Sequence, residues 1–316
     1  MIFNEQIFKI NTVTEAAAIA CHDWVGKHNN YEADRAAVNA MRKTLATLDV
    51  DAEIVIGEGE RDKAPMLYIG EKIRGGKLPV DIAVDPLEGT NLCANSKAES
   101  ISVIAMAPKN TLLKAPDCYM KKIAVGVRCN HNLIDINDSI TANVKSVAKF
   151  KGCTLKQLTV VVLKRERHVD IIEELQSIGV KIKLINDGDI VGVLATTTAT
   201  ADLYIGIGGA PEGVIAAAAL KCLGGQMQCK LILKDNAQIE RALSMGISNH
   251  ENVYHINDMV RDDVIFCATG VTDGTLVRGV TKTESEIKTH SFIASFSLKK
   301  NFHLFTSHHY NSKHIT

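Results

Sequence analysis

The chain has 316 residues, of which 46% are hydrophobic and 23% are charged. These values are ordinary for a globular protein, and this length allows one or two domains around a large core. The 36 basic and 36 acidic residues cancel, which argues against binding to nucleic acid or to an anionic membrane, because such proteins carry a basic surplus.

The cysteines and the N-terminus bear on where the protein works. Eight cysteines are scattered along the chain without a Cys-x-x-Cys pair, which is usual for reduced thiols in a cytoplasmic enzyme. The first residues lack the basic and then apolar order of a signal peptide. The longest apolar stretch, Val214 to Leu220, is too short to cross a bilayer. We therefore expect a cytoplasmic protein without a membrane-spanning segment.

Two helices are predicted at the start of the chain. The capping-box pattern Thr12-Val-Thr-Glu15 predicts a helix from Thr12 to about Val25, and apolar residues at helical spacing predict a second helix over residues 34–48. The following elements, in chain order, are a strand at 53–56, a helical or irregular segment at 65–69, a turn at Gly75-Gly76, a strand that ends at Asp85-Pro86, and strands at 100–107 and 122–127.

The second half alternates strands with helices. The predicted pairs are strand 159–163 with helix 169–178, strand 181–185 with a helix from about Asp189, and strand 203–207 with helix 212–223, followed by strand 230–233 and by strand-like segments after Val264, including 291–298. This alternation favours a layered α/β fold. We expect two intimately joined α/β subdomains, 1–150 and 151–316, with the first binding metal and phosphate and the second completing the site around the sugar phosphate.

Acidic residues follow two predicted strands directly. Glu58, Glu60 and Asp62 come after the first, and Asp85 and Glu88 end the second, so the acids converge if these strands are neighbours in one sheet. Clustered carboxylates repel one another and raise one another's pKa values, a conflict that a divalent cation removes. Oxygen ligands without a nearby His or Cys favour Mg²⁺ or Mn²⁺ over Zn²⁺. The alternative for any single acid is an exposed loop side chain.

The residues after Glu88 suggest a place for an anion. If a helix or tight turn begins near Gly89, its free N–H groups point at an incoming phosphate. Thr90 then holds a phosphate oxygen or the attacking water, or it is simply a helix cap.

Further candidate ligands lie in the second half. The segment from Gly206 to Glu212 has Pro211 where a dinucleotide-binding motif has its third glycine, so it indicates nucleotide binding only weakly. Glu212 suits either the dipole of the following helix or a metal. Arg165 and Arg167 follow a strand and can fork onto a phosphate, or they form a solvated helix start.

Asp187, Asp189 and Tyr119 are weaker candidates. The two aspartates can accept hydrogen bonds from sugar hydroxyls, or they can cap the helix that follows. A tyrosine such as Tyr119 is more often a half-buried aromatic side chain than a ligand contact.

Several motifs resemble a known family. The string from Asp85 to Thr90, Asp-Pro-Leu-Glu-Gly-Thr, resembles the signature of the metal-dependent sugar and inositol phosphatase superfamily. More particular blocks resemble the class II fructose-1,6-bisphosphatase family of bacteria, and the likeness extends from residue 12 to about 280. These blocks are Ala33–Arg42, Gly57–Glu71, Asp187-Gly188-Asp189 and Gly206–Gly213.

This resemblance implies a layered α/β/α/β/α sugar phosphatase fold and a set of roles. The implied metal ligands are Asp34, Glu58, Asp85, Glu88 and Glu212. The implied substrate contacts are Glu88, Gly89, Thr90, Tyr119, Arg165, Arg167, Asp187, Gly188, Asp189 and Gly209. Thr90 is the expected catalytic residue that orients the water or the scissile phosphate, with Glu60 or Asp62 assisting proton transfer.

Two segments depart from the family pattern. The family's basic motif usually reads Lys-Pro-Arg-His, whereas this chain has Arg165-Glu166-Arg167-His168, which adds a negative charge beside the expected phosphate site. The last stretch matches nothing in the family and is interpreted as a frayed tail; it holds His303, His308, His309 and His314.

The expected activity is Mn²⁺- or Mg²⁺-dependent hydrolysis of the 1-phosphate of fructose 1,6-bisphosphate, by a homo-oligomer (dimer or tetramer). Alternatives are a phosphatase of sedoheptulose 1,7-bisphosphate or inositol phosphates, and a non-catalytic protein that binds metal or sugar phosphate. A nucleotide-dependent oxidoreductase is a more distant alternative. A panel of sugar phosphates separates the expected activity from a related phosphatase. Phosphate release separates either phosphatase from a binding protein or an oxidoreductase.

Overall fold

A computed structural model describes residues 5–59, 65–126, 133–198, 200–249 and 251–309. The helices are α1 (Gln6–His22), α2 (Asn30–Leu45), α3 (Thr90–Ala94), α4 (Ile140–Lys151), α5 (Val169–Ser177), α6 (Asp189–Leu194), α7 (Ala210–Leu223), α8 (Asn236–Ser244) and α9 (Ile256–Met259). The first strands are β1 (Val50–Ile56), β2 (Lys72–Arg74), β3 (Leu78–Glu88), β4 (Ile101–Pro108), β5 (Tyr119–Val125), β6 (Thr159–Leu163) and β7 (Lys181–Ile185). The remaining strands are β8 (Leu203–Gly209), β9 (Gln226–Ile232), β10 (Tyr254–His255), β11 (Ile265–Gly270), β12 (Thr281–Lys282), β13 (Glu286–Ser295) and β14 (Lys300–His309).

The strands form two mixed sheets. The first has the order β12-β13-β11-β4-β3-β1-β2, with β14 paired to β13, and the second has the order β10-β9-β5-β8-β6-β7. β1 and β3 run parallel, as do β6 and its two neighbours. The predicted division near residue 150 stays a prediction, while sheet membership changes between β4 and β5 and again between β10 and β11.

Helices lie on both sides of each sheet. Helices α1 and α2 pack on the first sheet, and α4 and α5 pack on the second. Helix α7 contacts strands of both sheets, and its apolar run Val214–Leu220 is buried throughout, because a helix that is apolar on all sides needs a covered position. The predicted layered α/β/α/β/α fold is therefore confirmed.

The start of the first helix differs from the prediction. Helix α1 begins at Gln6, so Thr12 lies inside the helix and does not cap it. The Thr12 hydroxyl donates to the Lys9 carbonyl at 2.7 Å, which is the bond that threonine makes within a helix. The helix also ends at His22, three residues before Val25.

The strand that carries the acidic string is longer than predicted. Strand β3 continues through Pro86 to Glu88, and its register with β4 shifts between Asp85 and Glu88. Proline has no N–H to donate and is tolerated at such irregularities. The bulge therefore sets the directions of the two acids.

The expectation of a frayed C-terminal tail is wrong for residues 300–309. Strand β14 pairs with β13 from Ser295↔Lys300 to Glu286↔His309 without a break, and the Phe302 ring lies 6.0 Å from the Phe8 ring of α1. Phe302 and Leu304 pack against the core cluster that contains α1, whereas Phe305 is exposed on the other face of the strand. His314 lies outside the described residues. Within the described ranges, no helix combines the length and apolarity needed to cross a membrane.

Candidate active site

A cleft of about 380 Å³ opens where the ends of β1 and β3 meet the start of α7. Five of the acids that the sequence singled out line this cleft; they are Asp34, Glu58, Asp85, Glu88 and Glu212. Gly89, Thr90, Asn91, Asp117 and Asp187 complete much of its polar wall.

Separate elements bring the five acids together. Glu58 follows β1, while Asp85 and Glu88 lie at the bulged end of β3. Because β1 and β3 are parallel neighbours, their carboxyl ends share one edge of the sheet, as the sequence predicted. Asp34 comes from α2, and Glu212 comes from the first turn of α7.

Burial and mutual repulsion raise the pKa of these acids. Burial, with the charges of Asp34 and Glu212, raises the pKa of Glu58 to about 8. Burial followed by the Glu58 charge raises the pKa of Asp85 well above its ordinary range, and burial followed by the Asp85 charge does the same for Glu88. Without a bound cation the cluster therefore retains protons, which a divalent ion would replace.

The chemistry of the donors fits divalent cations. Glu212 Oε2 is buried and has no hydrogen-bond partner among the described residues, while Asp85 Oδ1 accepts from the Leu87 N–H at 3.1 Å. The donors are all carboxylate oxygens, as Mg²⁺ and Mn²⁺ prefer. In the ranges that the structure describes, no three acidic, His or Cys side chains already stand in the arrangement of a formed metal site.

Glu88 connects the two halves of the site. Its side chain is 6% exposed, and its Oε1 accepts from the Ile190 N–H of α6 at 2.8 Å. One carboxylate oxygen is thus fixed by the backbone of the second sheet's helix. The Glu88 carboxyl also shares a hydrogen bond with the Asp85 carboxyl.

The Gly89-Thr90 turn borders the acids. Gly89 has φ +77°, a conformation that favours glycine, and α3 begins directly after it. The Thr90 hydroxyl donates to the Leu87 carbonyl at 3.0 Å, so its proton is committed and its lone pairs remain to accept from a water molecule.

Arg167 and Tyr119 form the outer end of the predicted sugar-phosphate region. The Arg167 guanidinium carbon lies 4.7 Å from the centre of the Tyr119 ring, and Arg167 Nε donates to the Ile207 carbonyl at 2.9 Å. The terminal nitrogens of Arg167 have no acceptor in the described part of the chain, so they are left to meet an anion.

Arg165 is placed differently. Its Nη1 donates to the Asn186 carbonyl at 2.5 Å and to the Lys164 carbonyl at 3.1 Å, and its Nη2 lies 3.5 Å from Asp187 Oδ1. The structure therefore shows Arg165 holding the loop that carries Asp187, with fewer donors left for a phosphate than the sequence suggested.

The Asp187-Gly188-Asp189 block splits between cleft and interior. Asp187 lines the cleft, and Gly188 adopts φ +87° at the start of α6. Asp189 is 7% exposed and pairs with Lys122 and the Tyr204 hydroxyl. Its carboxylate is thus paired inside the protein, and Asp189 is not among the residues that line the cleft.

Gly209 gives Glu212 its present position. A Cβ at Gly209 would lie 2.8 Å from Glu212 Cδ and closer still to Oε2, so a larger residue here would push the end of this flexible side chain aside. Pro211 occupies the first turn of α7, where its missing N–H is not needed.

Sequence reasoning missed three buried residues behind the site. Lys122 is 1% exposed and lies between Asp189 and Glu212, whose charges raise its pKa against the opposing effect of burial. The Tyr204 hydroxyl donates a hydrogen bond to Asp189, the partner of Lys122. His168 is fully buried and accepts from the Ile207 N–H at 2.8 Å through Nε2, so it anchors the loop of Arg167. Only the basic motif signalled His168, and no local pattern signalled the other two.

The remaining expectations concern Glu60, Asp62 and Glu166. Glu60 and Asp62 fall outside the described residues. Glu166 is exposed, and in the described part of the chain its carboxylate has no ion pair with the arginines on either side.

Comparison with known proteins places this site in a family. The family profile described as bacterial fructose-1,6-bisphosphatase, glpX-encoded, matches residues 4–309. A class 2 fructose-1,6-bisphosphatase of Haemophilus influenzae is 42% identical over 302 residues, covering 90% of this chain and 90% of that protein. A Synechococcus protein named D-fructose 1,6-bisphosphatase class 2/sedoheptulose 1,7-bisphosphatase is 42% identical over 307 residues, covering 92% and 91%.

A solved inositol monophosphatase from Anabaena is similar over 62% of this chain and 71% of its own, at 12% identity and a TM-score of 0.33, a likeness too low to support an argument. The match over nearly the whole chain shows that this protein belongs to the bacterial, glpX-encoded fructose-1,6-bisphosphatase family.

Proposed function

We propose that this chain hydrolyses the 1-phosphate of fructose 1,6-bisphosphate, giving fructose 6-phosphate and phosphate. The observation that carries the proposal is the convergence of five carboxylates on one cleft beside the Gly89-Thr90 turn. Membership of the family supports the substrate, and the name of the Haemophilus influenzae relative states this activity for that protein.

The proposed metal ligands are the five acids of the cleft, namely Asp34, Glu58, Asp85, Glu88 and Glu212. Divalent cations held there would neutralise phosphate oxygens and lower the pKa of a water molecule. We propose Mn²⁺ or Mg²⁺, because the donors are oxygens alone.

The side chains of the cleft have distinct tasks in the proposed reaction. The Thr90 hydroxyl donates a hydrogen bond to the Leu87 carbonyl and accepts one from the attacking water. This second bond fixes the direction of the water's lone pair. Glu60 or Asp62 assists proton transfer from that water. Gly89 allows the chain to turn so that the start of α3 borders the scissile phosphate.

The distal part of the substrate meets the second sheet. Arg167, backed by Tyr119, binds the 6-phosphate, while Asp187 accepts from sugar hydroxyls at the cleft wall. Arg165 and Gly188 hold the loop of Asp187, and Gly209 leaves space for Glu212. Binding at the distal phosphate orients the scissile one, which lowers the entropic part of the barrier.

A second candidate substrate is sedoheptulose 1,7-bisphosphate. Relatives from Synechococcus and from Prochlorococcus marinus carry both activities in their names. Both sugars have a 1-phosphate and a distal phosphate, so the same cations serve either.

Location and assembly complete the proposal. The cysteines of the described ranges are all free, which supports work in the reducing cytoplasm. We also propose a homo-oligomer, a dimer or a tetramer, which sedimentation velocity tests.

A substrate panel tests the proposed activity. Purified protein is assayed for phosphate release from fructose 1,6-bisphosphate, sedoheptulose 1,7-bisphosphate and inositol 1-phosphate, each with Mn²⁺ and with Mg²⁺. We expect the highest kcat/KM for fructose 1,6-bisphosphate. Preference for inositol 1-phosphate, or binding of bisphosphate without phosphate release, would overturn the proposal.

A further inference from the structure

We infer that Lys234 is a second cationic contact of the distal phosphate, beside Arg167. This inference rests on the proposed function, because it assigns a partner to the phosphate that is not cleaved. Lys234 lies outside every motif that the sequence singled out.

The geometry puts Lys234 at the same ring as Arg167. Lys234 Nζ lies 4.9 Å from the centre of the Tyr119 ring, and the Arg167 guanidinium carbon lies 4.7 Å from it. Tyr119 pairs with Ile232 across the sheet, and Lys234 follows two residues later. Two cations thus share one aromatic side chain at the end of β5.

Neither cation is neutralised. In the described ranges, no carboxylate lies within ion-pair distance of Lys234 or Arg167, although the chain is neutral overall. The nearest acid in sequence, Asp235, is committed, because its Oδ1 accepts from the Gln238 N–H at 2.9 Å as the cap of α8. Two cations at one ring without a counter-charge leave a positive region that a dianionic phosphate would neutralise.

The backbone of Lys234 is held in place. Its N–H donates to Gln238 Oε1 at 2.7 Å, which together with the Asp235 cap fixes the chain at the end of β9. An anchored backbone reduces the conformational entropy that the lysine loses when it meets a ligand.

The need for a second cation follows from the position of Arg165. The sequence suggests that a pair of arginines binds the phosphate. The Arg165 guanidinium, however, donates to the Asn186 and Lys164 carbonyls and lies beside Asp187. Lys234 supplies the missing positive charge. Lys234 follows β9, whereas Arg167 is bonded to Ile207 of β8. These two strands flank β5, so the phosphate is held between them.

The test compares Lys234→Met with Lys230→Met in the full-length protein. Lys230 lies on β9, the strand that leads to Lys234, and pairs with Lys121 instead of lying at the Tyr119 ring. For Lys234→Met we expect the KM for fructose 1,6-bisphosphate and the inhibition constant of fructose 6-phosphate to rise about tenfold, as for the loss of one charged hydrogen bond. We expect kcat/KM for fructose 1-phosphate, which lacks the distal phosphate, to stay within about twofold.

Lys234→Arg should recover most of the lost affinity, because the charge returns, and Lys230→Met should behave as wild type. Unchanged KM and inhibition constants in Lys234→Met would overturn the inference, as would an equal loss with fructose 1-phosphate. If the wild type releases no phosphate, the proposed function fails separately. Calorimetric titration of fructose 6-phosphate onto wild type and Lys234→Met then still decides whether Lys234 binds the distal phosphate.

Discussion

The acidic residues of the cleft can be predicted from the sequence where they directly follow a strand, and less well where they lie on helices. Asp85 and Glu88 follow an apolar run that is recognisable as a buried strand, and Glu58 follows another. Glu212 lies in the first turn of α7, where an acid is ordinary, and Asp34 lies in the second turn of α2, so only the resemblance pointed to them as metal ligands. Lys122 was not foreseeable, because its partner Asp189 is distant in sequence and in another element.

The raised pKa of Glu58 gives a pH dependence to the metal-free protein. The folded state keeps this proton up to about pH 8, whereas the unfolded chain loses it near the ordinary value of 4.5. The unfolded state therefore binds fewer protons across this window, and the free energy of unfolding falls as the pH rises from about 4.5 to 8.

Thermal unfolding in EDTA at several pH values measures this dependence. Added Mn²⁺ should restore stability at pH 8 and release protons at pH 7, which an indicator dye detects. As a control, Glu53→Gln changes an acid on β1 that pairs with Lys114 outside the cleft, and this variant should keep the same profile. Metal-free stability that stays flat or rises toward pH 8 would contradict the electrostatic account.

Gly209→Ala tests the space that Glu212 occupies. The added methyl group displaces the carboxylate, and a misplaced ligand costs on the order of 10²-fold in kcat/KM. In a Glu212→Gln background, the same substitution should have little further effect, because coupled residues are not additive. Full activity of Gly209→Ala with bound metal would show that this contact is not needed.

At the scale of elements, the predicted starts of α5 and α6 are confirmed, whereas β9 begins four residues earlier than predicted and α1 begins at Gln6. Strands β6 and β7 have the predicted bounds, because their apolar runs are short and end in polar residues. Helix α1 begins earlier because threonine can bond within a helix as well as cap one. Strand β14 was missed because its segment, with three histidines, resembled no part of the family, although its polar and apolar residues alternate as in a half-buried strand.

The Lys122–Asp189 pair joins β5 to α6 within the interior. Removing one partner leaves a buried charge uncompensated, so Lys122→Met should lower the free energy of unfolding by about 3–5 kcal/mol. Lys121→Met, the exposed neighbour on the same strand, should change it by about 0.5 kcal/mol or less. Urea unfolding monitored by circular dichroism compares them. Equal midpoints for the two variants would show that the buried pair adds nothing to stability.

At the scale of the molecule, the site depends on both sheets. The first sheet supplies Glu58, Asp85 and Glu88, and the second supplies Tyr119 and, through α7, Glu212. The alternation of strands and helices predicted the layers. It did not predict that the chain returns to the first sheet after Val264, because pairing between distant strands is decided by packing, not by local pattern.

Phosphate release from fructose 1,6-bisphosphate, measured before and after removal of metal with EDTA and after addition of Mn²⁺, tests the central claim most directly. We expect activity to vanish with EDTA, to return with Mn²⁺, and to fall on the order of 10³-fold in folded Asp85→Asn. Phosphate release that survives EDTA, or an Asp85→Asn variant with wild-type activity, would contradict a reaction built on these carboxylates.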